Sequence, residues 1–208
     1  MINTMKKTIL FVILTLLSIV LLSAFSKTFA YSYNGIAWDK KMTSGKDIYY
    51  WVDSSISNYS SDISASKNML RYPPGLWNPM VLNQTTTKSW SKIDYYGDDA
   101  SGSSAASTLC FRPKVNGVEQ PFTNPSQKDS ENWLYAKVTI HKGHFNTHPT
   151  AVSKESLIIL HETCHAYGGR DVYDDAHKSC IMYGWYDAST ATGLDSAFNQ
   201  VLVDKYNY

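Results

Sequence analysis

His161 and His165, four residues apart, flank Glu162 in the stretch LHETCHAYGGRDVYD, residues 160–174. On a helix, residues i and i+4 share a face, so both imidazoles can turn toward one point. Glu162 lies near that point but is too displaced to join it in the same geometry. Paired imidazoles beside such a carboxylate suit a zinc ion with a general base for its water. Two ligands underfill a tetrahedral site, and a hydrolytic one wants three protein ligands and an open position. Gly168 lets the chain turn out of the helix, and Asp171, three residues on, can fold back as the third ligand. Asp174, Asp175 and His177 are rivals for that place. A polar helix facing solvent would explain the same residues. The apolar run 157–160 ahead of His161 argues instead that the helix enters a core.

That core has to be built by the rest of the chain. The stretch DIYYWVD (47–53) is dense in β-formers and predicts a strand, and residues 61–72 predict a helix stopped by Pro-Pro-Gly. Further strands are expected over 80–87 and 92–97, a polar Gly/Ser loop over 97–107, a turn at Asn116-Gly117 and a loop over 123–132. Residues 132–143 alternate, with Leu134, Ala136, Val138 and Ile140 on one face of a half-buried strand. From Ser153, a plausible N-cap with Glu155 in the first turn, the period becomes helical. That helix ends at Gly168-Gly169, and a closing helix is expected over 194–206. The order of elements predicts a mixed α/β domain. No internal repeat and no long linker divide it.

Residues 1–30 have the plan of an export signal. Lys6 and Lys7 precede an apolar stretch over 9–25, and Thr28-Phe29-Ala30 is a small-x-small cleavage site. Cleavage after Ala30 would leave 31–208 as one domain; an uncleaved N-terminal membrane anchor is the minor alternative. Removing the segment takes three lysines (Lys6, Lys7, Lys27) from 19 basic residues against 18 acidic, leaving a slightly acidic chain. That is no footprint for nucleic acid or an anionic membrane. Cys110, Cys164 and Cys180 are too few for a disulfide scaffold, and Cys164 with Cys180 is a candidate pair. The core therefore rests on packing, with six Trp, fifteen Tyr and seven Phe supplying much of the area.

His161-Glu162-x-x-His165-x-x-Gly168-x-x-Asp171 resembles the long zinc motif of the metzincin metalloproteases. Most of that clan have a third histidine where Asp171 stands; the aspartate form is similar to the snapalysin-like branch, which also carries a tyrosine at the place of Tyr173. SCIMYG (179–184) resembles the clan's Met-turn, with Gly184 where matrixins often have proline. The resemblance is specific over 153–184 and architectural over 47–145. It implies a metzincin-like zincin fold: a mixed twisted sheet, a buried zinc-binding helix, a Met-turn and a C-terminal helix. It implies one catalytic Zn2+ on His161, His165 and Asp171, with Met182 packed beneath it. Glu162 would be the general base, and Tyr173 a donor to the oxyanion, with Tyr183 as its rival. The residue 134–141 strand would run along the cleft as an edge that pairs with extended peptide.

The expected activity is that of a secreted, monomeric zinc metalloendopeptidase acting on protein or peptide. A carboxylate ligand would leave the zinc-held water less acidic than three imidazoles do. The alternatives are a zinc amidase acting on cell-wall peptide and a secreted binding protein without catalysis. An additional structural Zn2+ at His141, His144 and His148, or Ca2+ in YGDDASG, is a further candidate, with ordinary surface-loop histidines the plainer reading.

Overall fold

A computed structural model describes residues 35–207, and the export signal expected over 1–30 lies outside the described residues. The order is β1 (Asp47–Val52), α1 (Ser60–Arg71), β2 (Val81–Gln84), β3 (Ser91–Asp98), β4 (Ala106–Val115), β5 (Val118–Pro121), β6 (Tyr135–His141), α2 (Glu155–Ala166) and α3 (Ser196–Tyr206). The architecture is the expected mixed α/β one. Six strands form one mixed sheet in the order β2-β1-β3-β6-β4-β5. Strands β2, β1, β3 and β6 run parallel, and β4 is antiparallel to both its neighbours. Asn116 (φ 51°) and Gly117 (φ 80°) make the tight β4–β5 turn, both in the left-handed region that such a hairpin requires. Among the described residues no helix is long and apolar enough to cross a membrane.

The alternation over 134–141 is present, with Ala136, Val138 and Ile140 fully buried. Its place in the sheet is not the expected one. Strand β6 is interior, hydrogen-bonded to β3 on one side and β4 on the other. The strand beside the motif helix is β4, and β5 covers only its far part, from Phe111 to Val115. Phe122 N donates to Cys110 O, so the open edge of β4 is the segment 106–109. Period-two alternation reports one buried face; it does not report which neighbours flank the strand.

Helices α1 and α2 pack on one face of the sheet. On that face Tyr50, Ile93, Tyr95 and Val138 are buried. Helix α2 buries Ile158, Ile159 and Leu160, each worth about 1.5–3 kcal/mol when fully removed from water. Tyr95 Oη donates to Thr163 Oγ1 at 2.8 Å, and Thr163 passes its own hydrogen to Ile159 O at 2.7 Å. The opposite face keeps its aromatics covered by lysines: Lys88 Nζ lies 4.7 Å from the Trp51 ring and 4.9 Å from Tyr96, and Lys137 Nζ 5.0 Å from Phe111. These aromatics are part of the fold's own packing.

Ser153 does not cap α2. Its hydroxyl donates to Thr150 O, and the helix starts at Glu155 without a side-chain cap. The other end of α2 is heavily anchored. Gly168, at φ 101°, closes it in a Schellman turn, with Gly168 N donating to His165 O and Gly169 N to Cys164 O. Trp133 Nε1 donates to Ala166 O at 2.8 Å, Tyr206 Oη to Tyr167 O at 3.2 Å, and Trp38 N to Gly168 O at 2.9 Å. Trp133 is fully buried. Trp133→Phe strands a buried carbonyl and opens a void, so denaturant unfolding should show a loss of about 2–4 kcal/mol. A loss below about 0.5 kcal/mol would mean that the helix end is held by its neighbours alone.

Candidate functional site

The chain after α2 is pinned between two segments. On one side Ala37 bridges Gly169, and Arg170 N donates to Ile36 O at 2.8 Å. On the other side Val172 N donates to Met182 O at 3.0 Å, and Gly184 N to Val172 O at 2.9 Å. Asp171 is held between these anchors. Met182 is fully buried against Gly169, where a Cβ would come within 2.7 Å of its Sδ and Cε. A side chain at position 169 would have to displace the end of the methionine from beneath the ligand loop.

His161, His165 and Asp171 converge, and they are the one His/Cys/Asp/Glu group among the described residues whose ligand atoms could hold a metal. The two Nε2 atoms are 3.0 Å apart, and Asp171 Oδ1 lies 3.0 Å from that of His161 and 3.3 Å from that of His165. Both rings are oriented from behind by carbonyls. His161 Nδ1 lies 2.6 Å from Ile181 O, and His165 Nδ1 2.9 Å from Gly169 O. A carbonyl can only accept, so each Nδ1 carries the hydrogen and a neutral ring presents a bare Nε2 lone pair. Two such lone pairs and a carboxylate oxygen then face one another across about 3 Å. Distance alone would make Asp171 an ion-pair partner of both rings, yet its buried Oδ1 accepts no well-directed hydrogen bond.

Three converging acceptors, one of them orphaned, fit a cation. The protonation energies point the same way. Burial lowers His161, but Asp171 and Glu162 more than offset it and raise it to about 8. Asp171 is pushed up by burial and pulled far below the usual carboxylate range by the two imidazoles. The spot stabilises positive charge.

Glu162, 8% exposed, lies beside this group, and its Oε2 is 2.7 Å from the Thr108 hydroxyl on β4. Tyr173 is 56% exposed at the mouth, its ring 5.3 Å from that of Trp185. A Cβ on Gly184 would fall 2.4 Å from the Tyr173 ring, so the glycine at this position seats the tyrosine. Burial and the nearby Asp171 raise the Tyr173 phenol, keeping its proton on. Tyr183 is buried at the bridge to Val172.

The rivals of Asp171 are engaged elsewhere: His177 Nδ1 pairs with Asp174 at 2.6 Å, and Lys178 with Asp175 at 3.0 Å. The possible disulfide is absent, since Cys164 and Cys180 are both buried free thiols. Cys180 Sγ accepts Met182 N at 3.4 Å, and burial pushes the thiol up to about 12. Burial raises Cys164 as well, which makes it an inert part of the core.

His141, His144 and His148 form no metal group. His141 pairs with Asp98, and His148 stacks face to face on His144 at 3.8 Å. Nor is His144 a surface-loop residue: it is 1% exposed in a helical turn, Lys142–Thr147. The acids of YGDDASG are likewise matched, Asp98 by His141 and Asp99 by Lys142.

A cleft of about 740 Å3 runs over this centre between α2, the open part of β4 and the loop after Met182. One end has Trp38 and Lys128, near the C-terminus of α2. The other is closed by residues that the sequence reading did not place there. His144 Nδ1 lies 2.6 Å from Gly102 O and its Nε2 2.7 Å from Tyr186 Oη, joining the two rims. Lys154 Nζ donates to Tyr186 O and Ser189 O at 2.7 and 2.8 Å. Asp195 was also missed. Its Oδ2 accepts Ile181 N at 2.7 Å, while Oδ1 caps α3 through Ala197 N and Phe198 N. It therefore holds the residue whose carbonyl orients His161. A capping aspartate at the start of α3 was the one available hint.

No protein-family model and no curated protein matches the chain. Among solved structures, high choriolytic enzyme 1 (HCE-1), a hatching enzyme zinc-protease from Oryzias latipes (Medaka fish), is similar at 13% identity and a TM-score of 0.40. The match covers 86% of this chain and 97% of that one. A likeness this distant says nothing of chemistry.

Proposed function

We propose that this chain is a zinc-dependent metalloendopeptidase of the metzincin type, closest to the snapalysin-like branch and exported by residues 1–30. The observation that carries the reading is the orphaned Oδ1 of Asp171 facing two carbonyl-backed imidazoles. In this reading His161, His165 and Asp171 hold one zinc ion. Zinc, when bound, supplies Lewis acidity toward a water molecule and the scissile carbonyl. Glu162 takes the proton of the attacking water and returns it to the leaving amine. Tyr173, at the mouth with its proton retained, is the donor to the developing oxyanion. Met182 is packing and not a ligand.

Among the described residues no strand pairs with the open edge 106–109 along the cleft, which suits an extended peptide of either protein or oligopeptide origin. Such pairing is blind to sequence, so side-chain preference falls to the cleft walls. No nucleic-acid or lasting membrane partner enters this picture, and the protein acts as a monomer.

The test uses the purified protein with casein as substrate and zinc quantified per chain. About one zinc per chain, with cleavage abolished by a chelator and restored by added zinc, is the expected result. Stoichiometric zinc without peptide hydrolysis would shift the assignment to a cell-wall amidase or a binding protein. No zinc at all would overturn the metal centre itself.

A further inference from the structure

We infer that Thr108, which no motif marks, is a positioning residue for Glu162 and ties the open edge of β4 to the general base. The inference rests on the protease reading above. Thr108 stands opposite Val138, whose side of the sheet faces α2, and its hydroxyl reaches two acceptors of one residue. It lies 2.7 Å from Glu162 Oε2 and 2.8 Å from Glu162 O. One hydroxyl hydrogen, shared between the two acceptors, thereby ties the carboxylate to the main chain of the same glutamate and restricts the side-chain torsions between them. With Oε2 engaged, Oε1 remains the oxygen free to take a proton.

A general base acts only within hydrogen-bond reach of its proton, and an error of about 1 Å costs turnover. Thr108 also belongs to the only part of β4 that β5 leaves uncovered. The residue that would carry a bound peptide on its main chain therefore aims the base with its side chain. A purely structural threonine, gluing β4 to α2, would make the same contact but would not favour one step of turnover over binding.

Thr108→Val keeps the branched shape and removes the donor, while Thr108→Ser keeps the donor. The expected result for Val is a kcat on a casein-derived peptide about tenfold lower or worse. KM should stay within about twofold, zinc content should be unchanged, and Ser should restore most of the rate. In zinc-stripped protein, Val should lower Tm by about 2–4 °C, and by less when Glu162→Ala has already removed the carboxylate. Parental kcat in the Val variant, or an equal Tm loss in both backgrounds, overturns the inference. A parent that turns over no peptide overturns the protease reading and the positioning role with it; the Tm comparison then reports only whether the bond forms.

Discussion

Glu162→Gln is expected to bind zinc like the parent and to hydrolyse casein about 10²–10⁴-fold more slowly. The change is nearly isosteric, and the amide oxygen can still accept the Thr108 hydroxyl that Oε2 accepts now at 2.7 Å. The three converging ligand atoms come from His161, His165 and Asp171, so none is lost. What disappears is proton affinity: an amide can neither take the water's proton nor hand it to the leaving amine. Measuring zinc and turnover on the same preparation separates base from ligand. Retention of more than about a tenth of parental kcat would mean that another group accepts the proton. Loss of zinc would instead make Glu162 part of the metal shell.

Asp171→Asn is expected to weaken zinc binding by more than about 100-fold, beyond the usual cost of losing a residue that only supports a ligand. Casein hydrolysis falls with it. The zinc-stripped variant should also be less stable than zinc-stripped parent near neutral pH, because the carboxylate that the two imidazoles hold ionised is gone. In the parent, Oδ1 faces two Nε2 atoms at 3.0 and 3.3 Å, and its charge favours the protonated His161 ring. A neutral asparagine amide leaves that charge unmatched, although both imidazoles keep their Nδ1 bonds to Ile181 O and Gly169 O. Thermal unfolding with and without zinc checks both parts. The parent should gain a concentration-dependent rise in Tm on adding zinc, and the variant should gain little at the same concentrations. An equal rise in both would remove Asp171 from the ligand set.

The candidate ligands were legible because they are local. His161 and His165 share a helix face by periodicity alone, and Gly168 at φ 101° makes the turn that its residue type suggested. Strands 47–53 and 92–97, the Asn116-Gly117 turn and the closing helix were readable for the same reason: each depends on patterns a few residues long. Sheet order was not. The 135–141 strand has the alternation expected of it, yet β3 and β4 flank it and the open edge belongs to β4.

The residues that support the site lay further beyond reach. Thr108 meets Glu162 across 54 positions, His144 meets Gly102 and Tyr186 each across 42, and Trp133 caps the end of α2 across 33. The sequence by itself determined the helix, its two imidazoles, the adjacent carboxylate and the glycine turn, because local backbone geometry places them. Only the tertiary structure decided that Asp171 and not Asp174 closes the group, that the cysteines are free thiols, and which strand edge faces the cleft. Those outcomes depend on packing between segments remote in the chain, where one buried hydrogen bond or glycine-sized gap selects among arrangements that local propensity leaves equal.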